Sequence, residues 1–340
     1  MKEKIMNLKN MNVSPKIVVI GGGTGNSILL KGLKKVTDNI VTIIAMGDNG
    51  GGTGVLRKDL GMLPPGDVRA CLLALSNTEP SMQKVLSYRF DKGELKGQSF
   101  GNLFLAALNG VYGSFEEAVK QSSTILNITG KVYPMTTTNV NLVAEMSDGS
   151  KIYGESEIPE IAKTRGIKIE KLSLDPENPK PMDGAIEEIL SADMIILGPG
   201  SLYTSIMPNL LVSGIPEAIN ESGAEKIYIC NVMTQDGETN DYMVKDHLEA
   251  IYKHAPKLHI DKVIVNSKII ENKNIIDKYL LENQKQILLT DEDKKYLEKK
   301  KIEIIEENIA DNDEYVKHDS TKVANILLRK FVEESDTKKA

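Results

Sequence analysis

The feature that most constrains the fold is a pair of glycine clusters, each placed directly after a short β-branched run. The first cluster, Gly21–Ser27, follows Lys16–Ile20. The second cluster, Gly47–Gly54, follows Ile40–Met46. Apolar residues at helical spacing over Asn26–Lys35 lie between them, so the order is strand, glycine turn, helix and strand. This order predicts the first unit of a parallel sheet, in which both glycine loops leave the carboxyl edge and face one crevice.

The rest of the chain continues this alternation, which predicts a doubly wound α/β fold with a mostly parallel sheet. Further strand-like runs are Val140–Glu145, Lys168–Leu174, Met194–Leu197, Lys226–Asn231 and Lys262–Val265. Predicted helices are Leu103–Leu108, Phe115–Ile125, Ile186–Ser191 and Tyr242–Lys253. Asn139–Met146 and Lys151–Tyr153 break the alternation, and the Asp148-Gly149 pair between them predicts an antiparallel β-hairpin insertion. From about Glu271 the chain becomes more charged, which predicts a helical C-terminal part.

Chain length and local composition predict one large domain. The 340 residues suffice for one large α/β domain or two modest ones. No internal repeat or low-complexity tract divides residues 16–332, so we expect a single α/β domain over that range. Residues 1–15 are polar and are expected to form a flexible arm, and residues 333–340 are expected to form a disordered tail.

Composition and charge exclude several classes of protein. The net charge of −6, the absence of Trp and the presence of only five Phe argue against a nucleic-acid binder. Cys71 and Cys230 cannot form a disulfide framework, so a reducing cytoplasm is the expected location. No stretch approaches the roughly 20 apolar residues of a membrane span. Residues 1–80, which hold both glycine clusters, carry ten Lys and Arg against six Asp and Glu, a balance that suits phosphate binding. The alternative is chance together with a lysine-rich arm, since three of those lysines precede Ser14.

The first glycine cluster has the composition of a phosphate-binding loop. Glycines at 22, 23 and 25 let backbone N–H groups approach an anion, and the helix that follows adds its positive end. Thr24 and Asn26 supply polar side chains beside them. Two specific fingerprints fail, because Asn26 stands where a dinucleotide motif needs its last glycine and no Walker A lysine follows. The cluster therefore predicts phosphate or nucleotide binding through Gly22, Gly23, Thr24, Gly25 and Asn26, with a tight turn without a ligand as the alternative.

The second glycine cluster adds an acid and an arginine to the same predicted crevice. Asp48, with Asn49 and Gly50 after it, could accept hydrogen bonds from a ribose or a base, or hold a metal ion through water. Arg57 could pair with phosphate. The alternatives are a turn cap for Asp48 and a surface charge for Arg57.

Two predicted helix starts carry further polar residues. Pro64-Pro65-Gly66 forces a turn, and Asp67 after it is predicted to cap the following helix. Arg69, one turn into that helix, could point toward the crevice. Asn102 opens a very apolar helix, where it is either a cap or a hydrogen-bonding group for a ligand, and spacing alone does not decide between them.

Two later loops extend the predicted site. Gly198, Gly200 and Ser201 follow the strand-like run Met194–Leu197, and Thr234 lies in a polar run after another strand. His247 is the histidine that could have a chemical role, although a structural role is the stronger interpretation. No zinc-ligand set and no serine-hydrolase elbow occurs, so no metal site is expected.

Taken in order, these loops resemble the YvcK/CofD-like family, and within it the bacterial YvcK branch of gluconeogenesis factors. The resemblance runs from Lys16 to about Phe331. The segments that carry it are Lys16–Gly25, Gly47–Arg57, Pro64–Arg69, Phe100–Leu103, Gly154–Pro159, Gly198–Leu211, Cys230–Thr239, Asp246-His247 and Lys317-His318-Asp319.

The resemblance implies a Rossmann-like fold and a cytoplasmic protein that binds a uridine diphosphate sugar, typically UDP-N-acetylglucosamine. It also implies a regulatory role in cell shape and wall synthesis during growth on gluconeogenic carbon sources, exerted through a protein partner. The other branch of the family transfers a phospholactyl group with magnesium. A magnesium-dependent transferase, with Asp48, Asp67 and His247 as metal or acid–base groups, is therefore the alternative function. An NAD-dependent oxidoreductase is disfavoured by the missing third glycine.

Four positions bear on what the resemblance implies. Asn49 stands where the family pattern has a second acid, which weakens magnesium-dependent chemistry. Lys317 stands where an arginine is usual, so the expected contact with the sugar nucleotide keeps a positive charge but loses the planar guanidinium that can form two parallel hydrogen bonds. Tyr279 matches a tyrosine that contacts the nucleotide, and an ordinary half-buried tyrosine is the alternative. Ser320 keeps a hydroxyl that a protein kinase could modify. The oligomeric state, a homo-oligomer included, is left open.

Overall fold

The computed structural model describes residues 14–311 and 315–337, the last four of these by their backbone only. Seven parallel strands form its central sheet, in the order β10-β9-β8-β7-β1-β2-β3. The strands of this sheet are β1 Ile17–Gly21, β2 Ile40–Ile44, β3 Lys131–Pro134, β7 Met194–Leu197, β8 Glu225–Ile229, β9 Lys262–Asn266 and β10 Glu303–Glu307. This sheet confirms the predicted α/β class and its parallel arrangement.

The order of the strands defines the place where a ligand is expected. Strand β1 pairs with β2 on one side and with β7 on the other, so the chain winds outward in both directions from β1. In sheets of this kind ligands bind at the carboxyl ends of the strands where the winding direction changes. That point lies between β1 and β7.

Buried apolar strands explain why the sheet forms at the centre of the domain. Every residue of β1, β2, β7 and β9 is buried, as expected for strands covered by helices on both faces. The helices are α1 Gly23–Leu33, α2 Gly51–Leu60, α3 Gly66–Leu75, α4 Pro80–Ser87, α5 Phe100–Tyr112, α6 Phe115–Ile125, α7 Glu157–Arg165, α8 Ala185–Leu190, α9 Met207–Leu210, α10 Ile215–Glu221, α11 Val244–His254, α12 Lys273–Leu281, α13 Asp291–Lys300 and α14 Ser320–Thr337. A π-helical turn, Leu202–Ile206, precedes α9.

The insertion is larger than the predicted hairpin. Strands β4 Asn141–Met146 and β5 Lys151–Tyr153 form the expected antiparallel pair. The run Lys168–Leu174 was expected to continue the α/β alternation, but it forms β6 Ile169–Asp175, which pairs with β4 in a separate three-stranded sheet. Alternating burial over β6 suits a sheet covered on one face, which is the physical reason for this difference.

The C-terminal part is helical, as expected, and returns to the start of the fold. A short antiparallel ribbon, β11 Ala310–Asp311 and β12 Lys317–His318, precedes α14. Helix α14 packs against α1, and Gly32 provides the space, since a Cβ there would lie 2.1 Å from the carbonyl oxygen of Ser320.

The chain ends bear on the predicted arm and tail. Helix α14 continues to Thr337, five residues into the predicted tail. The remainder of that tail and residues 1–13 of the predicted arm lie outside the described residues. Within the described ranges no helix is long and apolar enough to cross a membrane.

Candidate functional site

A cavity of about 520 Å³ lies at the carboxyl edge of the sheet, at the point between β1 and β7. Its walls come from the loops after three strands, at residues 22–25, 199–205 and 231–238. Glu155 of the insertion also lines the cavity, as do Ile28 of α1 and Tyr279, Gln284, Val316, Lys317 and His318 of the C-terminal part. Its size lies within the range of roughly 300–1,000 Å³ that small-molecule sites occupy.

The first glycine cluster forms one wall of this cavity. Helix α1 begins at Gly23 rather than at the expected Asn26, so the glycines make its first turn. Its N-cap is Gly22, which has no side chain, and the Gly23 N–H of the first turn donates to the Asp67 carboxylate. Gly25 allows close packing, because a Cβ there would lie 2.7 Å from the carbonyl oxygen of Pro199. Thr24 and Gly25, the next residues of this turn, line the cavity, and the backbone N–H groups of a first helical turn are a favourable place for an anion.

Asp67 supports this wall, and its predicted role as a cap of its own helix is wrong. The N-cap of α3 is Pro65, without a side-chain capping bond in the described structure. The Asp67 carboxylate instead accepts a hydrogen bond from the Gly23 N–H at 2.7 Å. Burial, followed by the nearby charge of Asp48, raises the pKa of Asp67 to about 6. Tertiary contact with the glycine turn therefore outweighs local capping.

The loop after β7 forms the opposite wall. Ser201 caps the π-helical turn, and its Oγ accepts from the N–H of Thr204 at 3.0 Å. The Ser201 hydroxyl donates to the carboxylate of Glu238, which also accepts from the N–H groups of Tyr203 and Thr204. Burial raises the pKa of Glu238. The positive end of this helical turn is thus already occupied by an internal carboxylate.

Glu155 brings a second carboxylate to the cavity from the insertion. It follows β5 and hydrogen-bonds with the Thr204 hydroxyl. Burial, followed by the charges of Asp48 and Asp67, raises its pKa to about 7. The sequence prediction missed Glu155, since nothing in its local pattern shows that the insertion folds back to the cavity. Its segment was visible only through the family resemblance.

The far end of the cavity is built from the C-terminal part and the loop after β8. The Tyr279 hydroxyl accepts from the Val316 N–H at 3.0 Å, which holds the strand that carries Lys317. Lys317 lines the cavity, and its Nζ lies 3.3 Å from Oδ2 of Asp311. Thr234 is fixed by two hydrogen bonds with the backbone of Lys285, each 2.8 Å long. These three predicted residues are brought together with the first glycine cluster.

The second glycine cluster lies outside the cavity lining. Asp48 Oδ1 accepts from the Gly50 N–H at 2.9 Å, which matches the alternative interpretation of a turn cap. Asn49 contacts the insertion, where its amide donates to Glu157 at 2.8 Å and its oxygen accepts from Ser156. The cavity lies beyond β1, on the side away from β2, so the loop after β2 faces the insertion instead.

Arg57 is occupied by the backbone and side chains around it. Its guanidinium donates to the carbonyl oxygen of Asp48 at 3.0 Å, to that of Val140 at 2.8 Å and to Oδ1 of Asn139 at 2.7 Å. Arg57 therefore holds the second glycine loop against the start of the insertion.

Five further predicted residues lie away from the lining. Gly23 is one of them, and its N–H is bound by Asp67. Gly198 is the first residue after β7 and directly precedes the lining residue Pro199. Asn26 is fully buried and donates to Thr42 of β2 at 3.0 Å. Ser99 caps α5, so Asn102 is not the cap. The buried Oδ1 of Asn102 has no hydrogen-bond partner among the described residues. Ser320 is half-buried at the start of α14.

His247 lies in the core. Its Nδ1 is 2.8 Å from the Tyr228 hydroxyl, and burial lowers its pKa to about 3. The structural interpretation of His247 is therefore confirmed, and the transferase alternative loses one of its acid–base groups. No group of three or more His, Cys, Asp or Glu in the described ranges is arranged to hold a metal ion. Asp48 and Asp67 each accept one backbone hydrogen bond, from the Gly50 and Gly23 N–H groups respectively.

Comparisons with known proteins agree with this architecture. The family model described as 2-phospho-L-lactate transferase CofD matches residues 17–310. A protein of Thermoanaerobacterium thermosulfurigenes is 51% identical over 315 residues, which cover 92% of this chain and 96% of the relative. The gluconeogenesis factor of Bacillus subtilis is 44% identical, with 94% and 98% covered. A crystal structure of a UPF0052-family protein from Bacillus halodurans superposes with a TM-score of 0.88 at 40% identity, covering 94% of this chain and 100% of that chain. The chain belongs to the CofD family, and within it to the YvcK branch of gluconeogenesis factors.

Proposed function

We propose that the protein binds a uridine diphosphate sugar, UDP-N-acetylglucosamine, and acts as a regulator of cell shape and wall synthesis during gluconeogenic growth. The observation that carries this proposal is the cavity between β1 and β7, where the glycine-rich first turn of α1 and Lys317 line the same space. Both groups favour a diphosphate. The choice of uridine, of the sugar and of the regulatory role follows from the family to which the chain belongs.

The two helix starts at the cavity indicate where the diphosphate binds. The π-helical turn is already satisfied by Glu238, whose charge would repel a phosphate. At α1 Asp67 binds only the Gly23 N–H, and Gly22, Thr24 and Gly25 all line the cavity. The first glycine cluster is therefore the better site for the diphosphate, and Lys317 supplies a balancing charge.

Calorimetry with UDP-N-acetylglucosamine tests the proposal. We expect saturable binding by the full chain, and ligand at a hundredfold excess over its Kd should stabilise the fold by about 2.7 kcal/mol. Lys317→Ala should weaken binding by about tenfold, because a charge-assisted contact of roughly 1.4 kcal/mol is lost.

Lys322→Ala is the matched control for that experiment. Lys322 lies five residues further on in α14, is half-buried, pairs with Asp319 and does not line the described cavity. Its replacement should leave the affinity unchanged. Absence of any wild-type binding at millimolar ligand would contradict the proposed function.

The transferase alternative retains one observation in its favour. Besides burial, the charges of Asp48 and Asp67 raise the pKa of Glu155, a cavity residue, and the charge of Asp48 raises the pKa of Asp67. Incubation with a diphosphate-linked donor and magnesium tests this alternative. Donor consumption that is abolished in Asp48→Asn would support a transferase, whereas an unconsumed donor that still binds would count against it.

A further inference from the structure

We propose that Glu155 and Glu238 form the sugar-recognising wall of the cavity, and that they make the site selective for a nucleotide sugar over the free nucleoside diphosphate. This inference rests on the proposed function and names the groups that recognise the sugar. It concerns two residues that lie outside the glycine loops.

The two carboxylates are joined by one threonine. The Thr204 hydroxyl hydrogen-bonds with Glu155 and lies 2.7 Å from Ser201 Oγ, and Ser201 in turn donates to Glu238. Glu238 is further fixed by the backbone N–H groups of Tyr203 and Thr204. Both carboxylates line the cavity. Glu238 belongs to the loop after β8 at the edge of the sheet, and Glu155 belongs to the insertion.

The charge of this wall determines which part of the ligand it contacts. Besides burial, the charges of Asp48 and Asp67 raise the pKa of Glu155, so the surroundings of this wall are acidic. A diphosphate placed against Glu155 and Glu238 would be repelled, whereas Lys317, which lines the cavity from the C-terminal part, offers a favourable position. The ligand group at the acidic wall must therefore be uncharged and rich in hydrogen-bond donors. A hexose meets this requirement, because carboxylate oxygens accept hydrogen bonds from vicinal hydroxyls.

The protonation of Glu155 adds to this recognition. Burial and its acidic neighbours raise its pKa to about 7, so a large share of Glu155 carries a proton near neutral pH. A protonated carboxyl donates one hydrogen bond and accepts others, which suits a group such as an acetamido carbonyl beside a hydroxyl. Burial raises the pKa of Glu238, and the hydrogen bonds that it accepts from Ser201 and two backbone N–H groups oppose this rise.

Selectivity follows from what remains when the sugar is absent. Free UDP would leave both carboxylates without donors from the ligand while placing its terminal phosphate nearer to their charge. A site built to hydrogen-bond a substrate group discriminates strongly against an analogue that lacks it, since buried polar groups are then unpaired. UDP should therefore bind more weakly than UDP-N-acetylglucosamine.

The test compares the two ligands by calorimetry, once in EDTA and once with magnesium, with wild type and Glu155→Ala. The variant should lose at least tenfold in affinity for UDP-N-acetylglucosamine, while its affinity for UDP is unchanged or improved. Glu155→Gln keeps the side-chain volume and should lose less, which guards against a folding defect in the alanine variant. Glu160→Ala is the control, because Glu160 is an exposed carboxylate of the same insertion and does not line the described cavity.

Each other outcome overturns the inference in a distinguishable way. Equal losses for UDP and for the sugar nucleotide would show that Glu155 does not recognise the sugar, and so would no loss for either. Binding that requires magnesium in wild type and loses that requirement in Glu155→Ala would assign the carboxylate to a cation. If wild type binds UDP but not UDP-N-acetylglucosamine, sugar recognition fails, and if it binds neither, the proposed function fails with it.

Discussion

The two glycine loops are alike in sequence and different in use. Each follows a buried strand, opens a helix and leaves the same edge of the sheet, because β1 and β2 pair in parallel. The first loop lines the cavity through Gly22, Thr24 and Gly25. In the second loop, the Asn49 side chain instead forms hydrogen bonds with Ser156 and Glu157 of the insertion.

The difference follows from the order of the strands. Strand β1 has β2 on one side and β7 on the other, and the cavity opens between β1 and β7. Strand β2 lies between β1 and β3, so its loop faces the insertion. A glycine cluster after a strand therefore predicts a loop at the carboxyl edge, whereas the neighbouring strands decide whether that loop contacts a ligand.

The largest expected effect comes from adding one methyl group to the first loop. In Gly25→Ala the new Cβ would lie 2.7 Å from the carbonyl oxygen of Pro199, so the cavity wall must move. Overpacking of this kind costs up to about 3 kcal/mol, which corresponds to a loss of roughly 100-fold in ligand affinity. Calorimetry with UDP-N-acetylglucosamine measures the loss, and circular dichroism checks that the variant folds.

The same substitution in the second loop is the matched control. In Gly50→Ala the new Cβ would come no closer than 3.5 Å to Asp48 and 3.8 Å to Ser156, which are ordinary contacts. Gly50 has a φ of −82°, which alanine adopts readily. We expect unchanged affinity. A loss in Gly50→Ala as large as in Gly25→Ala would remove the distinction between the two loops.

Asp67 links the two loops and gives a prediction about pH. It accepts from Gly23 of the first loop and is close to Asp48 of the second. Its pKa rises from 3.8 to about 6, so the folded protein holds this proton more tightly than the unfolded chain. The stabilisation from Asp67 is therefore complete below pH 4 and is lost as the pH rises from about 4 to 6.

Asp67→Asn should relieve that loss, because the amide oxygen can still accept from the Gly23 N–H. The stability difference between variant and wild type should grow from near zero at pH 4 to about 3 kcal/mol at pH 7. Urea unfolding across this range measures it. Asp59→Asn, at an exposed position of α2, should show no such trend. A difference independent of pH would mean that ionisation of Asp67 is not its cause.

The sequence predicted the strands of the central sheet that are buried and apolar, such as β1, β2 and β7. It missed β3 and β10, which lie at the two edges of that sheet. Three of the five residues of β10 are glutamates, so no continuous apolar run marks it. Edge strands need less apolar surface, and their identity depends on pairing with a neighbour rather than on a local pattern.

The site was predictable where it depends on loops at strand ends. Thr24, Gly25, Gly200 and Ser201 were predicted from the glycine and hydroxyl residues after β1 and β7, and they line the cavity. Glu155 was not predictable in this way, because it reaches the cavity only after the insertion packs across the sheet edge. The contact between β1 and β7 pairs Ile17 with Met194, and no local pattern encodes so distant a pairing.

The smallest expected effect concerns the second loop as a structural element. Arg57→Ala removes the hydrogen bonds to Asp48, Asn139 and Val140 that hold this loop against the insertion. Hydrogen bonds to a charged group contribute about 1.5–3 kcal/mol each when buried, and less at this half-buried position.

We therefore expect Arg57→Ala to lower the free energy of unfolding by about 1–2 kcal/mol and to change the affinity for UDP-N-acetylglucosamine by less than about threefold. Lys58→Ala, at the exposed neighbouring position of α2, should change neither. Urea unfolding and calorimetry on the same preparations separate the two quantities. A large loss of affinity with little loss of stability would place Arg57 in the ligand site and would mean that both glycine loops contact the ligand.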